Sequence, residues 1–138
     1  MNAARSSTAI TTLSACVLAA GGVALLFASD ELLPRLIPGT PASATVLGQL
    51  VAAGWLAVAW LDWSQRHLVI GGIYGRPMVL ANLALYMVSA FSVGHPAMVA
   101  GAPPVLRLLT LLFGALALVY AALLMRGPFG VDTAAQSG

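Results

Sequence analysis

The sequence of 138 residues contains no lysine, one cysteine and very few charged side chains of any kind. Six arginines and four acidic residues make up 7% of the chain, whereas 60% of it is apolar. Soluble domains carry about 25% charged residues, so the composition is that of a membrane protein. Phosphate binding needs clustered cations, which excludes a nucleic-acid surface. The single cysteine, Cys16, excludes an internal disulfide and a metal site built from several thiolates.

Four apolar runs are long enough to cross a bilayer, whose hydrocarbon core of about 30 Å requires roughly 20 helical residues. His95 and Pro96 are expected to end the third helix, because proline disrupts helical hydrogen bonding. Pro104 is expected to begin the fourth, since proline fits a first helical turn. The predicted fold is all-α, a single integral membrane domain forming a four-helix bundle. The predicted helices cover residues 8–28, 42–61, 78–93 and 105–125, and a polar tail covers 127–138.

The connection after the first predicted helix carries apolar residues along one side. Prolines at positions 34, 38 and 41 keep any helix in it short. We therefore expect a short amphipathic segment that lies in the membrane interface; the alternative is a lid over a pocket. Its apolar residues are Leu32, Leu33, Leu36 and Ile37.

The segment around Cys16 superficially matches a lipoprotein cleavage box, "LSAC". A lipoprotein signal places its hydrophobic region before the cysteine, whereas here the run "VLAAGGVALLFA" follows it. We expect the first apolar run to be retained as a transmembrane helix and Cys16 to be unmodified. Small residues spaced by four, such as Ala20 and Ala24 or Ala117 and Ala121, are expected to form helix contacts within the chain or in a dimer.

Charged and aromatic residues gather where the second helix is predicted to end. Asp62 and Arg66 are four residues apart and are expected to share one helix face. Trp60 and Trp63 flank them and suit the headgroup level of the membrane. One interpretation is an aromatic belt with a charge pair at the membrane boundary, which leaves Asp62 peripheral. The other is a binding site that includes Asp62 and Arg66.

The heptad "GGIYGRP", residues 71–77, is expected to turn the chain from the second helix into the third. Its glycines permit a tight turn and Pro77 fits a first helical turn. Tyr74 is expected in the interface, and Arg76 can bind an anionic group through two hydrogen bonds. The stretch "GIYG" is not an RNA-binding loop, because that loop needs a soluble sheet around it. A Walker loop is excluded because its pattern is absent.

A polar stripe is predicted on the third helix, where Asn82 and Tyr86 lie four residues apart and Ser89 follows. Such residues either join helices by hydrogen bonds or line a pocket for a head group or a quinone carbonyl. Together with the polar residues of the turn they form a hypothetical ligand site. Its members are Asp62, Arg66, Tyr74, Arg76, Asn82 and Tyr86.

Several chemistries receive no support from the sequence. His67 and His95 are expected at opposite rims of the membrane and cannot share a metal ion, so no cofactor is predicted. Cation exporters of this size need an embedded carboxylate, and Asp62 is expected to be peripheral. Ser14, like the other candidate nucleophiles, has no histidine or carboxylate in its own helix. The sequence does not decide whether the protein is an enzyme, but the missing catalytic pairs argue against it.

The stretch "LDWSQRHLVIGGIYGRPMVLANLALYMVSAF" resembles the central segment of small uncharacterised bacterial proteins with four transmembrane helices. In helix count and size the chain is also similar to the DoxX-like superfamily, some of whose members are linked to quinone-dependent oxidation of sulfur compounds. No redox residues are carried over from that wider similarity. The residues shared with the narrower group are Trp63, Arg66, Gly71, Gly72, Tyr74, Gly75, Arg76, Pro77 and Asn82.

Two functional hypotheses follow from the sequence. The first is a non-enzymatic accessory or structural protein of a bacterial inner membrane, with membrane lipids and a homo-oligomer or another membrane protein as partners. The second is a redox-accessory protein that binds a lipophile, a quinone or a lipid, between the second and third helices near Arg66, Asn82 and Tyr86. A cavity lined by Asn82, Tyr86 and the heptad favours the second hypothesis, and solid packing favours the first.

We predict that both chain termini face the cytoplasm, because cytoplasmic connections carry an excess of arginine. Reporter fusions at Gly138 test this: green fluorescent protein should fluoresce and alkaline phosphatase should be inactive. High phosphatase activity without fluorescence would contradict the orientation. The predicted inner side carries Arg5, Arg66, Arg76 and Arg126, and the outer side carries Arg35 and Arg107.

Overall fold

The computed structural model describes the backbone of residues 3–67 and 75–126, and the side chains of 8–67 and 75–125. Within these ranges the chain has four α-helices and no strand. A short 3-10 turn, Ala42–Ala44, leads into the second helix. The helices are α1 (Ala3–Leu36), α2 (Thr45–Gln65), α3 (Gly75–Ala97) and α4 (Pro104–Arg126).

All four helices are long and apolar enough to cross a membrane. The shortest spanning candidate has 22 residues, which at 1.5 Å per residue matches a hydrocarbon core of about 30 Å. The predicted all-α four-helix membrane fold is confirmed. The chain is a multi-pass membrane protein.

The helix ends on both sides of the α3–α4 connection lie at prolines. Pro104 begins α4 as predicted. The third helix ends at Ala97, one residue after Pro96, which is four residues beyond the predicted bound at position 93. Proline removes a single backbone donor, and α3 then ends in i→i+3 hydrogen bonds, including one from the Met98 N–H to the His95 carbonyl at 3.3 Å. Gly101 follows with φ of 83°, a backbone conformation that glycine adopts without steric cost.

The predicted interfacial segment is the end of α1 and not a separate element. A kink at Ala28, with φ −130° and ψ 25°, divides the helix, and the part beyond it contains Pro34. Leu33 lies against α2, because a Cβ placed on Gly48 would be 3.0 Å from its Cδ1 atom. Ile37 is half exposed. The position of this segment in the membrane interface stays a prediction.

Glycines allow α1 and α2 to approach closely. A Cβ on Gly21 would lie 2.6 Å from the Trp55 ring, and one on Gly48 would lie 2.9 Å from the Ser29 Cβ. Both distances are too short for any side chain. Ala20 and Ala24, which were expected to make contacts within the chain or in a dimer, are exposed in the single chain. Glycines therefore allow the close approach of α1 and α2, and a dimer contact through Ala20 and Ala24 stays a prediction.

Aromatic side chains fill the space between the α1–α2 pair and the α3–α4 pair. Trp55 of α2 meets Phe113 of α4 edge-on, with ring centroids 5.5 Å apart. Tyr86 of α3 stacks on Tyr120 of α4 at 5.7 Å. Both geometries are favourable for aromatic rings. The α1–α2 pair therefore contacts the α3–α4 pair through aromatic side chains and not through close backbone approach.

We predict that Gly48→Ala destabilises the protein by about 1–3 kcal/mol, the usual cost of overpacking, because its new methyl group collides with the Ser29 Cβ. Gly54→Ala is the matched control on the same helix, since no atom lies within 4 Å of its Cβ position. The control should melt at or above the wild-type temperature. Thermal unfolding in detergent, followed by circular dichroism, checks both, and equal melting temperatures for the two variants would contradict the close approach.

Candidate functional site

Asp62 lies three residues before the end of α2 and is fully buried, with no exposed surface. The expectation that it is peripheral was wrong. It lies about 4.5 Å from the helix end along the axis, but its side chain is directed into the bundle and away from the water beyond that end. The sequence of a single transmembrane helix does not show whether such a side chain is directed into the bundle or toward water. The other three helices must surround the residue to bury it.

Asn82 of α3 is the hydrogen-bonding partner of Asp62. Its Nδ2 donates to Asp62 Oδ1 at 2.7 Å and to the Met78 carbonyl at 3.2 Å. Its Oδ1 accepts a hydrogen bond from Ser14 Oγ of α1 at 3.3 Å. The amide orientation follows from chemistry, since the opposite orientation would place two acceptor oxygens against each other. One side chain therefore joins α1, α2 and α3.

Tyr86 extends this network toward α4. Its hydroxyl lies 2.5 Å from Ser14 Oγ. Ser14 has one hydroxyl proton, which it donates to Asn82, so Tyr86 is the donor in the shared hydrogen bond. The Tyr86 ring stacks on Tyr120. We call Ser14, Asp62, Asn82, Tyr86 and Tyr120 the polar cluster, and every helix contributes to it.

Two oxygens of the polar cluster have no hydrogen-bond partner within the described part of the chain. They are Asp62 Oδ2 and the Tyr120 hydroxyl. A buried polar atom without a partner costs about 1–3 kcal/mol, and such atoms in native proteins call for an explanation such as a bound ligand. Asp62 says more about a ligand than Tyr120 does, because a carboxylate is a strong hydrogen-bond acceptor. Asn82 already donates to its Oδ1, so Oδ2 is the oxygen left for a ligand.

The arginines predicted for the site do not reach Asp62. Arg66 follows the last residue of α2; its guanidinium lies 4.1 Å from the centre of the Trp63 ring and donates to the Trp63 carbonyl at 2.6 Å. That arrangement is a cation–π contact and replaces the expected ion pair with Asp62. Arg76 is exposed in the first turn of α3. Tyr74 lies outside the described residues, as does the rest of the turn before Gly75.

A cleft of about 290 Å³ opens beside Asp62, between the end of α2 and the start of α3. Two buried polar residues, Asp62 and Asn82, line it, and it reaches Pro77 at the end of the heptad. A second cleft of about 480 Å³ continues along the same two helices, past Trp55 to Ser89. Val58 lines both. We call the two clefts together the α2–α3 seam.

The α2–α3 seam is an apolar groove with its polar groups at the ends. Gly54 lines it with no atom within 4 Å of its Cβ position. On α2 it extends from Val51 to Gln65, a separation of 14 positions that corresponds to roughly 21 Å of helix. The predicted polar stripe of α3 is thereby divided: Asn82 and Tyr86 belong to the polar cluster, and Ser89 lines the seam.

The arrangement favours binding over covalent chemistry. Ser14 is hydrogen-bonded to an amide and a phenol, neither of which is the general base that a serine nucleophile requires. His67 and His95 are exposed near the ends of their helices. Over residues 3–67 and 75–126 no group of three His, Cys, Asp or Glu side chains comes together. What remains is a hydrogen-bond acceptor at one end of an apolar groove.

Sequence reasoning placed three members of the polar cluster correctly near one another and missed two. Ser14 was considered only with partners in its own helix, whereas its partners come from α3. Tyr120 was not singled out, although it is the one tyrosine of α4. A polar side chain in the middle of an apolar run is the available signal, because such a group requires an interhelical partner.

Comparisons with known proteins identify no matching family model, no similar curated protein and no similar solved structure. The resemblance of the central segment to other small membrane proteins therefore stays a prediction. The functional argument depends on the polar cluster and the α2–α3 seam.

We predict that Asn82→Leu lowers stability by about 1–3 kcal/mol, because it leaves Asp62 buried without a donor. Adding Asp62→Leu should restore most of the loss, since replacing both partners by apolar groups is nearly neutral. Gln49→Leu is the control for replacing a helical amide, because Gln49 is exposed on α2. Unfolding in detergent titrations checks the series, and additive losses in the double variant would show that Asp62 and Asn82 are not coupled.

Proposed function

We propose that this chain is a non-enzymatic membrane protein that binds one lipophilic molecule in the α2–α3 seam, with the ligand's polar head at Asp62. The observation that carries this proposal is Asp62, which lines the cleft and whose buried Oδ2 has no partner among the described residues. Ligand sites are typically apolar with a few placed polar groups that fix orientation. The seam has this character.

The chemistry of Asp62 restricts the head group. The Asp62 carboxyl group has acceptor capacity in both protonation states, so it favours a hydroxyl, amide or amine head, and when ionised it disfavours a phosphate or an anionic lipid. A quinol hydroxyl can donate to it in both states, whereas a bare carbonyl can pair only with the protonated acid. The Asn82 amide does not compensate, because Asp62 and Met78 already occupy its two donors. We therefore place the ligand's donor against Asp62 Oδ2.

The ligand's tail is assigned to the apolar part of the seam. Val58, Trp55 and Phe113 line it beyond Asp62, and the roughly 21 Å of helix along which it runs accommodates an extended chain. Arg76 is next to Pro77, at the polar end, and stays a candidate for contacts with lipid phosphates, which arginine binds well. Arg66 has a lesser role in this proposal, because Trp63 holds its guanidinium.

The proposed setting is a bacterial inner membrane with both chain termini in the cytoplasm. The distribution of arginines supports that orientation, and it places the Asp62 end of the seam on the cytoplasmic side. A polar head group would then lie near the inner headgroup region and its tail within the bilayer. The seam opens laterally toward lipid, which supplies an entry route for a lipophile.

A purely structural or accessory role is the second candidate, and the polar cluster favours it. Hydrogen bonds from Asn82 and Ser14 join three helices, and such bonds contribute about 0.6–2 kcal/mol each in membranes. A structural role explains Asn82, Ser14 and Tyr86 fully. It does not explain the open seam or the unpaired Asp62 Oδ2.

The binding proposal is tested by filling the groove. Gly54→Leu should occupy the seam without a collision, since the Cβ position of Gly54 is open. Gly114→Leu is the matched control, because Gly114 is also a helical glycine with an open Cβ position and lines a different groove, between α3 and α4. Both variants should fold. The probe is 1-decanol carrying a diazirine, cross-linked in nanodiscs and mapped by peptide mass spectrometry.

Wild type and Gly114→Leu should show labelling of Val58 and Leu85 that excess unlabelled decanol removes. Gly54→Leu should lose at least 80% of that labelling (roughly a fivefold loss of occupancy, about 1 kcal/mol). Equal labelling in all three proteins, or labelling that decanol does not compete, would overturn the binding proposal and leave the structural role.

A further inference from the structure

We propose that the α2–α3 seam selects amphiphiles with a primary ammonium head group, and that such a cation exchanges with a proton on Asp62. This inference rests on the proposed lipophile binding and adds the charge of the ligand and the ion that it displaces. It follows from the neighbours of Asp62 within the described part of the chain, which supply one hydrogen bond of 3.5 Å or less and no ion pair.

The groups around Asp62 come from all four helices and are neutral. They are the Ser14 hydroxyl of α1, the Asn82 amide and Tyr86 phenol of α3, and the Tyr120 phenol of α4. On α2 itself, Gln65 lines the same cleft and Arg66 is held by Trp63. Within the described residues the one ion pair joins Arg35 and Glu31, on α1. The carboxyl group has no cationic partner in this part of the protein.

A carboxylate in this position needs its charge balanced. Transfer of an ion into a low-dielectric interior costs several kcal/mol unless a counter-ion accompanies it, and membrane carboxylates pair with cations or take part in proton relays. Two states satisfy Asp62: a carboxylic acid that holds a proton, and a carboxylate paired with a cation in the cleft. Binding of R–NH3⁺ to the acid forms the ion pair and releases one H⁺ to water, so charge and atoms balance.

The geometry favours a primary ammonium over other cations. Asp62 lines a cleft of about 290 Å³, and its Oδ2 has no partner among the described residues; the cleft exceeds the roughly 30 Å³ that one water occupies in the liquid. An ammonium has three donors, one of which can pair with the Asp62 carboxylate. The remainder of the seam is apolar and suits an alkyl tail. A quaternary ammonium carries the charge but has no donor for the carboxylate.

The experiment measures protons released on binding. Wild type in phosphatidylcholine nanodiscs is titrated with decylammonium, decyltrimethylammonium or 1-decanol in two buffers of different ionisation enthalpy, by calorimetry. We expect close to one proton released per decylammonium bound at a pH where Asp62 is protonated. In that range decylammonium affinity should rise about tenfold per pH unit, as one-proton linkage requires. Decanol should bind without proton release, and decyltrimethylammonium should bind at least tenfold more weakly than decylammonium.

Asp62→Asn keeps the shape and removes the exchangeable charge, so it should abolish proton release. Asp30→Asn, an exposed carboxylate on α1, is the control and should behave as wild type. If the Asn variant does not fold, the pH dependence of decylammonium affinity in wild type still decides the question.

The outcomes separate the two proposals. Decanol and decylammonium labelling or binding in the seam with no proton release and no pH dependence would overturn the ammonium exchange and leave lipophile binding in place. If Gly54→Leu reduces the binding of neither decanol nor decylammonium, both the lipophile binding and the ammonium exchange are overturned. Equal affinity for the primary and quaternary ammonium would overturn the assignment of the head group.

Discussion

The hydrogen bond from Asn82 to Asp62 is the interaction on which the arrangement of this bundle depends. It connects α3 to α2, and through Ser14 the same amide connects to α1. Within a bilayer there is no hydrophobic force between helices, so polar contacts and close packing must specify which faces meet. The polar cluster provides polar contacts between the two helix pairs. The glycines of α1 and α2 provide close packing within one pair, so the two kinds of contact act at different interfaces.

This division explains why the protein has an open seam. Gly48 allows α1 and α2 to pack at backbone distance, whereas α2 meets α3 through side chains of the polar cluster and meets α4 through the rings of Trp55 and Phe113. Bulky rings hold backbones apart, and small residues such as Gly54 then leave space uncovered. The apolar groove is thus a consequence of how the helix pairs are joined, and Asp62 lies at its polar end because it belongs to the joint.

The helices themselves were largely predictable, since apolar runs of about 20 residues have few alternatives in a membrane. Pro104 marked the start of α4 correctly. Pro96 marked the end of α3 to within one residue, and i→i+3 turns follow it. Asn82 and Tyr86 were recognised from their spacing of four. Their hydrogen-bond partners Ser14 and Asp62 lie in other helices, and no periodicity within one helix reveals a partner in another.

The sequence by itself determined that this protein folds in a lipid bilayer and that it crosses the bilayer four times, because both properties depend on hydrophobicity summed over a segment. Only the tertiary structure decided the environment of Asp62. The same residue, three positions from a helix end, is a solvated boundary charge if its face is directed outward and a buried acceptor if three helices enclose it. The rotation of each helix about its axis decides between these, and contacts such as that of Gly48 with Ser29 fix that rotation. For this reason the proposed ligand site is a buried acceptor in an apolar groove, whereas the sequence alone pointed to an anion-binding turn.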